Sequence, residues 1–179
     1  AETRAYLAMA GAFAASAGRR EEAEGRQLEA LRLAEAEGSP TEQANALYNL
    51  GNTHLEQGRL PEAEDSFLRA ARLCIEHQVN PLLALVLTNL GVALHRQGRS
   101  EEARESFDVA RRTFKALNNP PGEAHVLDNK ARVHLLEDRL DEAEGAWLEA
   151  LGVYQGITAP QLADVRSWHS LKPLPYPTR

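Results

Sequence analysis

A chain of 179 residues is long enough to bury a core of its own. With 43% apolar and 26% charged residues it has the profile of a folded globular protein rather than a disordered one. A net charge of -6 argues against a protein whose main work is neutralising phosphates, no apolar run approaches the roughly 18 residues of a membrane span, and the lone Cys74 allows no internal disulfide and fits a reducing, cytoplasmic compartment.

The chain repeats itself. Cut at residues 11, 51, 91 and 131 it gives GAFAASAGRREEAEG, GNTHLEQGRLPEAED, GVALHRQGRSEEARE and ARVHLLEDRLDEAEG, a period of 40 without a gap. Arg19, Arg59, Arg99 and Arg139 are invariant across the copies, as are Glu22, Glu62, Glu102 and Glu142, then Ala23, Ala63, Ala103 and Ala143, and Ala30, Ala70, Ala110 and Ala150. The repeats fall at about 1–39, 40–79, 80–119 and 120–159, and together form a single domain.

Each copy reads as two helices. The apolar stretch AYLAMAGAFAASAG (5–18) lacks the basic start of a signal peptide and recurs in register with later segments, so it belongs to the first helix of the first copy. That helix starts at or before residue 1, and no initiator Met precedes it. The expectation is therefore an excised piece of a larger protein, or a chain from which a tag or the Met was removed.

The second copy opens at Ser39-Pro40, a capping residue followed by Pro at the first helical position, with Ser39 and Glu42 at capping-box spacing. Ala44, Leu47, Leu50, Gly51 and Leu55 then fall on one face. Gln57-Gly58-Arg59 breaks the pattern, as glycine does just past a helix end. The second helix opens with Pro61 and a carboxylate suited to the positive end of the helix dipole, and buries Ala63, Phe67, Ala70 and Ala71.

Asn80-Pro81 and Asn119-Pro120 start the next two copies, whose second helices bury Ala103, Phe107 and Ala110, and Ala143, Trp147 and Ala150. Small residues at fixed positions let helices approach while one large residue fills the groove between them. After Gly156 the register weakens. PQLADVRSWHSL (160–171) reads as a helix capping the last hairpin, and KPLPYPTR (172–179), with three prolines, as an extended tail.

Leu47-x2-Leu50-Gly51-x2-His54, followed by Ala63-x3-Phe67 and Ala70, resembles the tetratricopeptide (TPR) pattern W-x2-L-G-x2-Y…A-x3-F, with Leu for Trp and His for Tyr. The longer period is similar to that of kinesin light chains, spindle-orientation adaptors and bacterial transcription activators. The resemblance covers about residues 4 to 156 and implies an all-α, right-handed α-solenoid of four helical hairpins plus the C-terminal capping helix.

In that family the first helix of each hairpin lines an inner groove. The corresponding residues here are Tyr48, Asn49 and Asn52, then Thr88, Asn89 and Val92, then Asp128, Asn129 and Arg132. Asn49, Asn89 and Asn129 form a ladder. An Asn side chain offers a donor and an acceptor, so it can pair with an extended peptide of any sequence; it can equally orient the neighbouring turn. Arg96 and Arg132 either add a positive patch suited to a carboxylate or are solvated. The Lys and Arg set of a two-carboxylate clamp is missing.

HLLEDRLDEAE (134–144) concentrates His134, Glu137, Asp138, Asp141, Glu142 and Glu144 as a metal site would. Alignment with HLEQGRLPEAE, eighty residues earlier, makes it the end of one packed helix and the start of the next, with His134 a packing residue. Cys74 shares the column of Ala34, Phe114 and Tyr154 and reads as packing rather than as a nucleophile. The sequence thus predicts a non-enzymatic module without metal or cofactor. It takes a protein or peptide partner, self-association remaining open, and its runner-up is a regulatory TPR segment of a larger bacterial activator.

Overall fold

The computed structural model describes residues 20–156, which form seven helices: α1 (Arg20–Ala36), α2 (Pro40–Glu56), α3 (Leu60–Glu76), α4 (Asn80–Arg96), α5 (Ser100–Ala116), α6 (Pro120–Leu136) and α7 (Leu140–Gln155). No strand occurs among the described residues, and no helix there is long and apolar enough to cross a membrane. The first helix of the first repeat, the helix expected over 160–171 and the tail 172–179 lie outside the described residues.

Helix and turn share one recipe. Each helix from α1 to α6 has 17 residues, and a three-residue turn follows it. The middle turn residue has positive φ every time: Gly38 at 61°, Gly58 at 76°, Gln78 at 57°, Gly98 at 81°, Asn118 at 51° and Asp138 at 59°. That left-handed residue turns the chain so that the Arg59 amide reaches back to the His54 carbonyl at 2.9 Å and the Gly58 amide to Leu55 at 3.2 Å, satisfying carbonyls at the helix end. The six turns make the 40-residue period a pair of 20-residue units.

The helix starts depart from expectation at two of the three caps. Asn119 accepts the Gly122 amide at 2.9 Å, but Ser39 makes no side-chain cap bond, so the Ser39–Glu42 capping box does not form. Asn80 is already helical, with Val79 before it. Backbone geometry and Pro at the first turn start those helices without a side-chain cap.

Packing follows the columns. Ala44, Ala84 and Ala124, like Ala63, Ala103 and Ala143, are at most 1% exposed, so small residues set the distances between helices. Phe67 and Phe107 are fully buried, each contributing about 1.5 to 3 kcal/mol of apolar burial. A Cβ on Gly51 would lie 2.6 Å from the Phe67 ring, and one on Gly91 2.8 Å from Phe107. The Leu-Gly column is therefore a seat for the aromatic ring of the next helix.

The fourth repeat breaks that pairing on both sides. Ala131 replaces Gly, its methyl takes the seat, and Trp147 stands outside with 39% of its surface exposed, its indole N–H donating to Asp128 Oδ1 at 3.0 Å. The expectation that Trp147 fills the groove as Phe67 does is thereby corrected. A similar exchange of volume joins Phe114 to Gly122, whose missing side chain admits the ring; one repeat earlier the two columns hold Cys74 and Leu82, both buried.

Helices stack in sequence order, α2 on α3, α4 on α5 and α6 on α7, with α1 against α2, α3 against α4, and α5 against α6. Successive first helices α2, α4 and α6 also approach one another, whereas α3, α5 and α7 make no comparable approach. The first helices thus form the inner, tighter layer of a curved stack, and α1, α3, α5 and α7 its outer layer.

Candidate peptide-binding groove

The inner layer presents α2, α4 and α6 side by side. Asn89 on α4 donates from Nδ2 to Asn52 Oδ1 at 2.7 Å and to the Tyr48 hydroxyl at 3.3 Å, both on α2. Two repeats are thus joined by amide and phenol groups, and the Tyr48 ring leans on Phe67 with centroids 6.3 Å apart. Burial pushes the Tyr48 hydroxyl above its ordinary value, against the opposing bonds to Asn52 and Asn89. It stays a neutral donor and acceptor.

The other groove residues differ in what they offer. Asn49 is half-buried, and its carbonyl accepts the Thr53 hydroxyl at 3.1 Å. Thr88 is fully buried with its hydroxyl on the Ala84 carbonyl, and Val92 is buried too, so both belong to the packing. Asn129 is 7% exposed and donates to the His125 carbonyl at 3.0 Å within its own helix. Arg96 reaches across to the Leu55 carbonyl at 2.8 Å, and Arg132 pairs with Asp128 at 3.1 Å. Both guanidiniums are engaged by the protein itself, Arg132 by a carboxylate and Arg96 by a neutral carbonyl, so Arg96 keeps its positive charge in the groove.

The invariant Arg and Glu columns, in contrast, build the joints between repeats. Arg59 holds Glu24 of the preceding hairpin at 2.8 Å and Glu62 at 3.0 Å; Arg99 holds Glu64 at 2.7 Å and Glu102 at 2.6 Å. Burial raises the Glu24 carboxyl, but bonds from Arg59, His54 and Gln57 outweigh it and hold the group below its usual value. The third joint is inverted: Arg104 stands in the column of Glu24 and Glu64, and Glu137 in that of Gln57 and Gln97. Glu137 gathers Arg104 at 3.5 Å, Arg139, and His95 at 3.6 Å. The sequence carried this signal as paired departures in two columns.

His134 is buried as expected, yet its surroundings differ from those of His54. Ser66 and Glu24 approach the two ring nitrogens of His54 at 3.4 Å each, while Ala146 and Arg104 occupy those columns at His134, whose Nδ1 is buried without a partner. Cys74 is fully buried and its thiol is pushed up to about 11 by burial, which suits packing and not attack. Among the described residues no three His, Cys, Asp or Glu side chains are placed to share a metal ion.

Known proteins agree with this architecture. The tetratricopeptide repeat family model matches residues 2–76 and 82–156. The crystal structure of BtubC (BKLC) from P. vanneervenii superposes with a TM-score of 0.75 at 20% identity, covering 90% of this chain and 66% of that one, which shows the fold. No curated protein matches the sequence. Helical hairpins, glycine seats and family model coincide, and the chain belongs to the tetratricopeptide repeat family, whose repeats generally mediate protein–protein interaction and are typically non-catalytic.

Proposed function

We propose that this chain is a non-enzymatic interaction module that binds an extended peptide segment of a partner protein along the inner face of α2, α4 and α6. The observation that carries this reading is the Tyr48–Asn89–Asn52 chain of hydrogen bonds. It fixes two amides on neighbouring helices, and the Asn89 oxygen is left to meet a peptide backbone. Asn49 adds a third amide beside them. Fixing these groups beforehand lowers the entropy that binding costs. With Arg96 and Arg132 already engaged, the peptide is recognised through its backbone and apolar side chains more than through a carboxylate.

Peptides selected from a display library on the purified protein provide the test. Asn49→Ala and Asn89→Ala should each weaken the selected peptides by about tenfold. Arg26→Ala, on the outer helix α1, should leave them unchanged. Selected peptides whose affinity is unaffected by both Asn substitutions would overturn the groove assignment.

A further inference from the structure

The outer layer carries a furrow of about 450 Å³ between α3 and α5, floored by α4. Leu90 and Leu94 form the floor with Leu87, and Leu68 and Val109 stand on the two walls at 47% and 38% exposure. Its volume lies in the range of sites that hold a small ligand or a few side chains.

The furrow is peculiar to this joint. One repeat earlier, the columns of Leu94 and Val109 hold His54 and Arg69, and His54 is tied to Glu24 at 3.4 Å. One repeat later, the columns of Leu90, Leu68 and Val109 hold Lys130, Asp108 and Glu149, and Lys130 crosses to Asp108 at 2.8 Å. Hydrogen-bonded polar side chains occupy the flanking positions. Among the described joints only this one has apolar residues in all five columns, and the repeat itself does not require them.

The rim is acidic. Glu64, Glu102 and Glu105 surround the single Arg99, whose guanidinium is already held by Glu64 and Glu102. Three carboxylates against one guanidinium leave a net charge of -2 beside an apolar floor. The complementary occupant carries apolar side chains flanked by cations and no acid.

In a chain of net charge -6, residues 165–179 contain Arg166, Lys172 and Arg179 and neither Asp nor Glu. Within them LKPLPYPTR (171–179) sets Leu171, Leu174 and Tyr176 between Lys172 and Arg179. Its three prolines limit the freedom lost on binding, and the spacing of Leu171 and Leu174 matches the three-residue period of a polyproline helix. We infer that residues 171–179 bind across the outer furrow of their own molecule, with Leu171 and Leu174 on the apolar floor between Leu68 and Val109 and Lys172 and Arg179 at the acidic rim.

Reach is ample. The Arg111–Glu149 pair at 2.6 Å ties the wall helix α5 to α7 although the two do not pack closely, which puts the end of α7 within about two helix spacings, roughly 20 Å, of the furrow. Residues 157–170 cover that distance even with the helix expected from 160 onward, at about 1.5 Å per helical and 3.3 Å per extended residue. The inner groove offers the tail less, because Arg132 and Asp128 cancel there and Arg96 adds a like charge.

The test uses the full chain with Cys74→Ala, the residue at that column in the first repeat, and a nitroxide on Thr178→Cys. The methyl resonances of Leu68, Leu87 and Val109 should lose most of their intensity in the paramagnetic state. They should regain it when Lys172→Glu and Arg179→Glu are added, or when Val109→Glu alters the wall while Leu68 is read. Sharp Leu68 and Val109 methyls overturn the inference. So does broadening centred on Asn89 and Val92, which would put the tail in the inner groove. Broadening that disappears when labelled protein is diluted into unlabelled protein would assign the site to a second copy, and it too overturns the intramolecular strap.

Discussion

The hairpin α2–α3 and the hairpin α6–α7 are built on the same columns and solve the same problems differently. In the first, Gly51 seats Phe67, Ser66 meets His54, and Arg59 reaches back to a carboxylate on α1. In the last, Ala131 fills the seat and Trp147 stands outside, Ala146 leaves His134 Nδ1 bare, and the reaching carboxylate is Glu137, aimed at Arg104. Departures from the repeat come in pairs, each answering another across a contact. The tetratricopeptide unit is thus a set of coupled columns, and changing one member alone should expose the coupling.

The largest effect should come from the seat. Gly51→Ala or Gly91→Ala drives a methyl into a buried ring and should cost about 1 to 3 kcal/mol in urea unfolding. Ala131→Gly, where the ring is already outside, creates no clash and should cost about 1 kcal/mol through helix propensity and the lost methyl, without displacing Trp147. Equal costs at the two places would break the comparison. Next comes the inverted joint. Arg104→Glu sets a second carboxylate beside Glu137 and should destabilise by about 1 to 2 kcal/mol, and adding Glu137→Gln, which restores the pattern of the earlier joints, should recover about 1 kcal/mol as coupling. Additive losses would show that the two columns act independently.

Much of this was legible in the sequence, because the repeat multiplies every signal. Four copies of Ala63 and Ala103 at one spacing identify helix crossings, and Gly51 with Phe67 identifies the hairpin contact. What stayed hidden depends on neighbours across repeats. Trp147 and Phe67 look alike along one strand of sequence, and only the extra methyl of Ala131 separates a buried ring from an exposed one. Asn49, Asn89 and Asn129 look like a uniform ladder, yet Asn89 bonds across to α2 while Asn129 bonds within α6. The Ser39 and Asn80 caps fail for a related reason, since a turn that satisfies its own carbonyls needs no side chain to start the next helix.

A smaller effect sharpens the contrast at the two histidines. Ala146→Ser gives His134 the hydroxyl that Ser66 gives His54, and should stabilise by about 0.5 to 1.5 kcal/mol. An unchanged denaturation midpoint would mean that Nδ1 is already satisfied by water.

The last contrast is in pH, and its sign follows from the direction of the shifts. Burial pushes His95 and His134 below their ordinary value; Arg139 adds to this at both, and Glu137 opposes it. Both bind a proton less readily when folded than when unfolded, so the unfolded chain takes up more protons as pH falls below about 6.5, and their contribution is present above that pH and is lost below it. The carboxylates of the earlier joints behave otherwise. Glu24, Glu62 and Glu102 are held below the usual range by Arg59 and Arg99, so their contribution is lost only as pH falls below about 4.3. On acidification the α4–α7 region should therefore loosen before the α1–α3 region. Amide exchange at pH 7, 5.5 and 4 should show protection lost first near His95 and His134, and His95→Gln with His134→Gln should flatten the dependence of melting temperature on pH between 7 and 5. A slope unchanged by both substitutions would place the acid sensitivity elsewhere and end the distinction between the two joints.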